Sequence, residues 1–335
     1  MTLMSVGDLA KVFTLRRHST ELKQALNQLS SEAATGQTSD LSRTVHGDFS
    51  AIAGLHKSLT LLNAYRLATN EAATFTDAAQ ATLETVEKII SDGGSGLVQS
   101  SMSTNSALII NAGLDIKQRF NSAVAAFNTR VGEQTLFAGA ATDSPALAPA
   151  EDILAALRAA TSGTTTATSL AAAVSVWFAD PLGYSALAYK GSATPLAPFQ
   201  IGEGEQTQFA TTADHQAVKN ALESLALGAL VGEGALQGTP VEQSKLARLA
   251  GDKMLVNAGG LTYVRAAIGT SQANIDAVAT RNSAESASLQ LAISAIVAVD
   301  PYEAASALLE TQTQLETLYA ITARLSHLHL TDYLR

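Results

Sequence analysis

The side chains of this sequence that could do chemistry are few and poorly placed for it. His327 and His329, in "SHLHL", form the closest histidine pair. Metal ligation by that pair needs a shared face, but two residues apart on a helix turns them about 200° from one another. They read as exposed or interfacial side chains. "DGGSG" (92–96) and "GEGEQ" (202–206) offer glycines without the lysine or helix start of a phosphate-binding loop, and read as turns. Neither a Gly-x-Ser-x-Gly elbow nor His-Glu-x-x-His occurs. The acidic pair Glu84 and Glu87, and Asp214 beside His215, sit in ordinary helical or capping contexts and read as solvated. With no cysteine, a thiol nucleophile, a thiolate metal site and a disulfide framework are all excluded. The expectation is a non-enzyme with no catalytic residue, no metal and no cofactor.

The net charge of −9 argues against nucleic acid, whose affinity for proteins comes from Lys and Arg neutralising phosphates. The hydrophobic fraction of 47% is carried by Ala and Leu, with only 5% aromatic residues, which is a helix-forming composition. "LQLAISAIVAV" is the longest apolar run and too short to span a bilayer. The N-terminus lacks the basic start, apolar core and cleavage site of a secretion signal, so the naive reading is cytoplasmic.

What the pattern does specify is helices. Leu15, Leu22 and Leu29 recur every seven residues, with Val12 and Leu26 filling the three-and-four spacing of an amphipathic, coiled-coil-like stripe. "ATGQTSD" breaks it at Gly36. A second helical stretch runs through Ile52, Leu59, Phe75 and Val86 and is expected to stop at a flexible turn, "SDGGSG". A third carries Leu108, Phe120, Val124 and Phe127.

Between Pro145 and Pro240 lie six of the seven prolines, the one tryptophan and the short runs "ALAYKG" and "FQIGEGEQTQFAT", which predict strands and loops with one or two helices. After Lys245 helix returns. The last helix starts with Asp300 as N-cap, Pro301 at the first position and Glu303 at the third, placed to reach back to the cap. Leu308, Leu315, Leu318, Ile321, Leu325 and Leu328 form its stripe.

The predicted fold is mainly α: a long-helix coiled-coil stem built by both chain ends, with a smaller inserted α+β or β-rich domain. Boundaries fall at 1–38 and 300–335 for the terminal helices, 39–140 and 241–299 for the stem, and 141–240 for the insert. The two terminal stripes are natural mates, yet two helices alone leave much of each other exposed. Packing against neighbouring subunits is therefore expected.

Some of these stretches resemble a known family. "VRAAIGTSQANIDAV" followed by "ISAIVAVDPYEAASALLETQTQLETLYAITARLSHLHLTDYLR" is similar to the C-terminus of the flagellin superfamily, with its Asp-x-x-Glu-Ala helix start, Leu-x-x-x-Gln repeat and leucine-rich tail. "GEQTLFAGAATDSPAL" resembles the point where hook-associated members leave the stem, and "YKG" with "IGEGEQ" the start of their variable domain. The ending "LSHLHLTDYL" is closer to the hook–filament junction members than to filament flagellins, and "ATGQTSDLSRTVHGDFSAI" stands where flagellins carry a different stretch after the first helix.

The resemblance implies that the terminal helices pair as a coiled coil in the inner axial layer, packing on the same helices of neighbouring copies, while the insert faces outward. It implies export without a cleaved signal to the extracellular flagellum, which reverses the naive cytoplasmic reading. The implied partners are further copies in a ring, the other hook-associated protein below, flagellin above and an export chaperone. Two alternatives stand beside a junction adaptor: a filament flagellin, and a secreted helical effector or adhesin.

Overall fold

The computed structural model describes residues 6–103 and 105–327. The chain divides into two compact units, one made of 1–61 with 284–335 and the other of 62–283.

In the first unit, helix α1 (Val6–Thr35) lies antiparallel to helix α9 (Pro301–His327). The end of α1 is dictated locally. Gly36 adopts φ +68°, a conformation that costs a side-chain-bearing residue, and donates its N–H to Glu32 O at 2.8 Å. The chain then runs beside the entry to α9, with Gln37 bridged antiparallel to Ala298, Thr38 N–H on Val297 O at 2.8 Å and Val299 N–H on Gly36 O at 3.0 Å. Glu32 is buried here and accepts from Ser39 N–H at 2.9 Å and Gln28 Nε2 at 3.0 Å, so its carboxylate closes the turn. A short helix α2 (Leu41–Thr44), capped by Asp40, and a turn through His46 and Gly47, both at positive φ, lead into helix α3 (Ser50–Ser101).

The second unit is built on the remainder of α3, on α4 (Ser106–Phe127) and on most of α8 (Pro240–Val297). Between α4 and α8 come a two-residue hairpin, β1 (Arg130–Val131) with β2 (Gln134–Thr135), then α5 (Ala150–Ala160), α6 (Ala167–Ala179) and a π-helical turn at Tyr184–Ala188. A second antiparallel hairpin, β3 (Phe199–Gly202) with β4 (Glu205–Thr207), precedes α7 (Gln216–Gly232). Helix α7 packs along α4 so closely that a Cβ on Gly113 would lie 2.2 Å from Gly232 N.

The mainly helical fold with long terminal helices and small two-stranded sheets agrees with the sequence reading. The segment 141–240 is α+β in makeup, with three helices and one hairpin, rather than β-rich. "ALAYKG", expected as a strand, is a π-turn followed by a single bridge from Tyr189 to Leu147, whereas "FQIGEGEQTQFAT" does form the β3–β4 hairpin with Gly204 at its tip. That segment encloses no core of its own. Leu154, Leu157, Val174, Leu222 and Leu225 share one apolar cluster with Phe75 and Val86 of α3, Phe120 of α4 and Leu246 of α8. A chain of ring contacts, Phe127–Phe137–Phe209–Phe75–Phe199, with centroids 5.2 to 6.1 Å apart, crosses the expected boundary at 140/141.

The expected turn at "SDGGSG" is absent: α3 runs unbroken to Ser101. A Cβ on Gly93 would come within 2.8 Å of Ile116 Cδ1, and one on Gly94 within 2.9 Å of Met254 Cβ. These glycines admit α4 and α8 to the surface of α3, and the packing outweighs the roughly 1 kcal/mol that each costs a helix.

Candidate assembly surface

The first unit holds most of the residues singled out by the stripes. On α1, Leu15, Leu22, Leu26 and Leu29 are half-buried against α9, while Val12 is exposed. On α9, Leu318 and Ala304 are buried, Leu308 and Leu315 half-buried, and Ile321 and Leu325 exposed. Leu328, like His329, lies outside the described residues. Each helix thus presents one three-and-four-spaced face to the other, as heptad spacing requires.

Asp300 Oδ1 accepts Tyr302 N–H at 2.8 Å and Glu303 N–H at 3.4 Å, and Ala304 N–H bonds Asp300 O at 2.9 Å. With Pro301 spending no donor in the first turn, these bonds satisfy the orphan amides and fix where α9 begins. Toward the other end, Val12, Leu15 and Ser19 of α1 and Leu318, Tyr319 and Thr322 of α9 line an open groove of about 270 Å³. Lys23 Nζ lies 5.7 Å from the Tyr319 ring centroid, a cation–π contact between the helices.

A two-helix pair can cover only one face of each helix, and the remaining faces here are apolar in part. Phe13 is 68% exposed, Tyr302 82%, Leu309 64%, Ile321 46% and Leu325 41%. Phe13, Tyr302 and Leu309 fall outside the stripe and were missed by heptad spacing, which finds only the seam. The signal that could have found them is a large apolar residue on the polar side of an amphipathic helix.

The second unit brings other polar groups together in ways that bind elements rather than form a reactive site. Ser175 of α6 donates to Glu223 of α7 at 2.5 Å, and Lys253 of α8 pairs with both. Arg265 of α8 joins Glu87 at 2.8 Å and Glu84 at 3.1 Å on α3, so that acidic pair is ion-paired rather than merely solvated. Asp214 pairs with Lys219 at 2.7 Å and accepts from Ser185 at 3.0 Å, while His215 caps α7 through Nδ1. The Tyr184 hydroxyl donates to Ala213 O at 2.7 Å, and burial pushes that phenol well above its ordinary range. Lys117 bridges Glu151 at 3.0 Å and Glu233 at 3.1 Å, contacts that hold its ammonium above the usual lysine value. Among the described residues no group of three His, Asp, Glu or Cys side chains is placed to hold a metal ion. Nor, among them, is any helix long and apolar enough to cross a membrane.

Residues 257–334 match the family model described as the bacterial flagellin C-terminal helical region. No curated protein matches the chain. Among solved structures, Bacillus cereus FlgL is similar at 14% identity over 72% of this chain and 100% of that one, with a TM-score of 0.52. A protein of Vibrio parahaemolyticus described as a flagellar hook-associated protein is 17% identical, covering 76% of this chain and 94% of that one, at a TM-score of 0.41, too low to bear on the fold. The matched C-terminal region takes in all of α9 and most of α8, and the FlgL likeness extends the shared fold well beyond it. Residues 257–334 are thus similar to the C-terminal helical region of bacterial flagellins, and the likeness to FlgL is one of fold.

Proposed function

We propose that this protein is a structural adaptor of the bacterial flagellum, joining the hook-associated ring to the flagellin filament at the hook–filament junction outside the cell. The observation that carries the assembly role is the α1–α9 pair, which matches the flagellin C-terminal region on one helix and leaves Phe13, Tyr302 and Leu309 largely uncovered. Apolar faces of this kind are stable only once covered, and further copies of the same pair, the neighbouring hook-associated protein and flagellin are the natural covers. The role is one of packing rather than catalysis. An export chaperone would shield the same faces before assembly.

Deletion of the gene tests the reading. Electron microscopy is expected to show hooks without filaments, with flagellin lost to the medium. Intact filaments would sink it. A filament flagellin, the alternative, predicts instead thousands of copies along the filament, which quantification of sheared flagella separates from the few copies of a junction.

A further inference from the structure

The hairpin β3–β4 is fastened to the long helices by contacts of its own. Ile201, fully buried, meets Ala72 of α3 and Ile275 and Val278 of α8 in a small apolar cluster separate from the main core of the second unit. The strand pairing skips at this residue: Gln200 faces Gln206 while Gly202 faces Glu205, and Ile201 is left as a bulge between them. A carbonyl buried at a bulge needs a donor from outside the ladder. Asn282 of α8, itself buried, supplies one, its Nδ2 donating to Ile201 O at 2.8 Å. Beside it, Arg281 pairs with Glu205 of β4 at 2.7 Å.

The two ends of this segment are pinned separately. Ala140 N–H bonds Thr194 O at 2.9 Å on the entering side, and on the leaving side the Phe209 ring sits 5.9 Å from both Phe75 and Phe137. Gln208 Nε2 donates to Leu196 O at 2.9 Å and closes the neck. Residues 197–207 are thus free to detach while both ends stay on the main core. The long helices, for their part, depend on the hairpin at this level. From Glu87 to Asp77, α3 is joined to α8 directly: Arg265 pairs with Glu87 and Glu84, Gln80 Nε2 donates to Arg265 O at 2.7 Å, and Gln272 Nε2 donates to Asp77 at 2.6 Å. Between there and the end of the unit, at 62 on α3 and 283 on α8, no hydrogen bond or ion pair joins the two helices among the described residues. Ile201 and Asn282 stand in that place.

We infer that the β3–β4 hairpin is a latch, which opens as a local unit below global unfolding and, when closed, holds α3 to α8 over 62–76 and 273–283. Ile201 supplies the burial, and Asn282, by taking the carbonyl at the bulge, fixes the position in which the hairpin closes. Opening uncovers one four-residue cluster, far less apolar surface than the core shared by the other helices, so it costs far less than unfolding the unit. This end of the second unit therefore has two states, held and released, whatever the chain assembles with.

Hydrogen exchange read by mass spectrometry on the full, unassembled chain tests this. In the wild-type protein the amides of 199–207, 275–283 and 66–73 are expected to exchange through a common opening, at least about tenfold faster than those of α7 in the main core. Asn282→Ala and, separately, Ile201→Ala should quicken all three stretches together by about tenfold or more, with α7 exchange and the main thermal midpoint unmoved. A wild-type hairpin no faster than α7, or a variant in which α7 quickens in step, places the hairpin in the main core and overturns the latch. A variant that quickens 199–207 alone, with 66–73 and 275–283 unmoved, overturns its hold on the helices.

Discussion

At Gly113 the room available is set by backbone, not by a side chain that could turn aside. Its missing Cβ faces Gly232 of α7, so Gly113→Ala must separate the two helices or bend one of them. The expected loss is about 1–3 kcal/mol, read as a lower thermal midpoint of the second unit. Glu242 makes a different kind of joint: its carboxylate accepts Ala167 N–H at 2.8 Å and pairs with Lys245 at 2.7 Å, tying the start of α8 to that of α6. The Lys245 contact first, then the Ala167 amide, hold its pKa below the ordinary carboxylate value. A depressed folded-state pKa gives stability that is present above the unfolded value and lost as pH falls through the folded one. Glu242→Gln should therefore lower the midpoint at neutral pH, and the deficit should shrink as pH falls through the depressed folded-state value. A deficit that persisted unchanged in acid would contradict this. Neither contact was legible beforehand, because a glycine or a glutamate in the chain does not say which distant backbone it will meet.

At the scale of the element, α9 was the most readable part of the molecule. Its first residues name their own roles, since the Asp300 carboxylate accepts the amides two and three residues on and Pro301 brings no amide to satisfy. Asp300→Ala removes the acceptor of Tyr302 and Glu303 N–H and should cost about 1 kcal/mol, seen as faster hydrogen exchange over the first turns of α9 with α7 unaffected. Leu318→Asp places a charge in the α1–α9 seam, where Leu318 is buried. It should block incorporation into the flagellum while the second unit keeps its melting transition; normal incorporation would count against the seam as the assembly element. The reverse lesson comes from α3, where "SDGGSG" reads as a helix stop on local chemistry alone. Glycine near a helix end and glycine at a helix crossing are the same residue in sequence, and only the presence of Ile116 and Met254 overhead distinguishes them.

At the scale of the whole molecule, the two units differ in what sustains them. The second has an extensive continuous core; the first relies on one helical seam and the turn closed by Glu32. Unfolding should therefore show more than one transition, with the first unit the less protected from hydrogen exchange in the unassembled protein and gaining protection on assembly. Terminal helices already fully protected in the monomer would argue against coupled folding and assembly. Within the second unit, Leu154→Ala on α5 should cost about 2–5 kcal/mol and lower the midpoint of α3 and α4 together with α5. A freestanding insert would melt alone.

The sequence by itself determined the helical class, both terminal stripes, the start of α9, the break at Gly36 and the β3–β4 hairpin, because each follows from spacing or from turn and cap chemistry between residues close along the chain. Two stripes with too little partner between them implied a need for further cover, but not the outward residues Phe13, Tyr302 and Leu309. Only the tertiary structure decided that 141–240 shares its core with α3, α4 and α8, that the glycines of α3 lie at crossings, and that Glu32 turns inward to hold the chain at 36–39. Those depend on which distant surfaces meet. Burial and hydrogen bonding are awarded by contact across the fold, and residues far apart in sequence carry no local mark of the partner they will find.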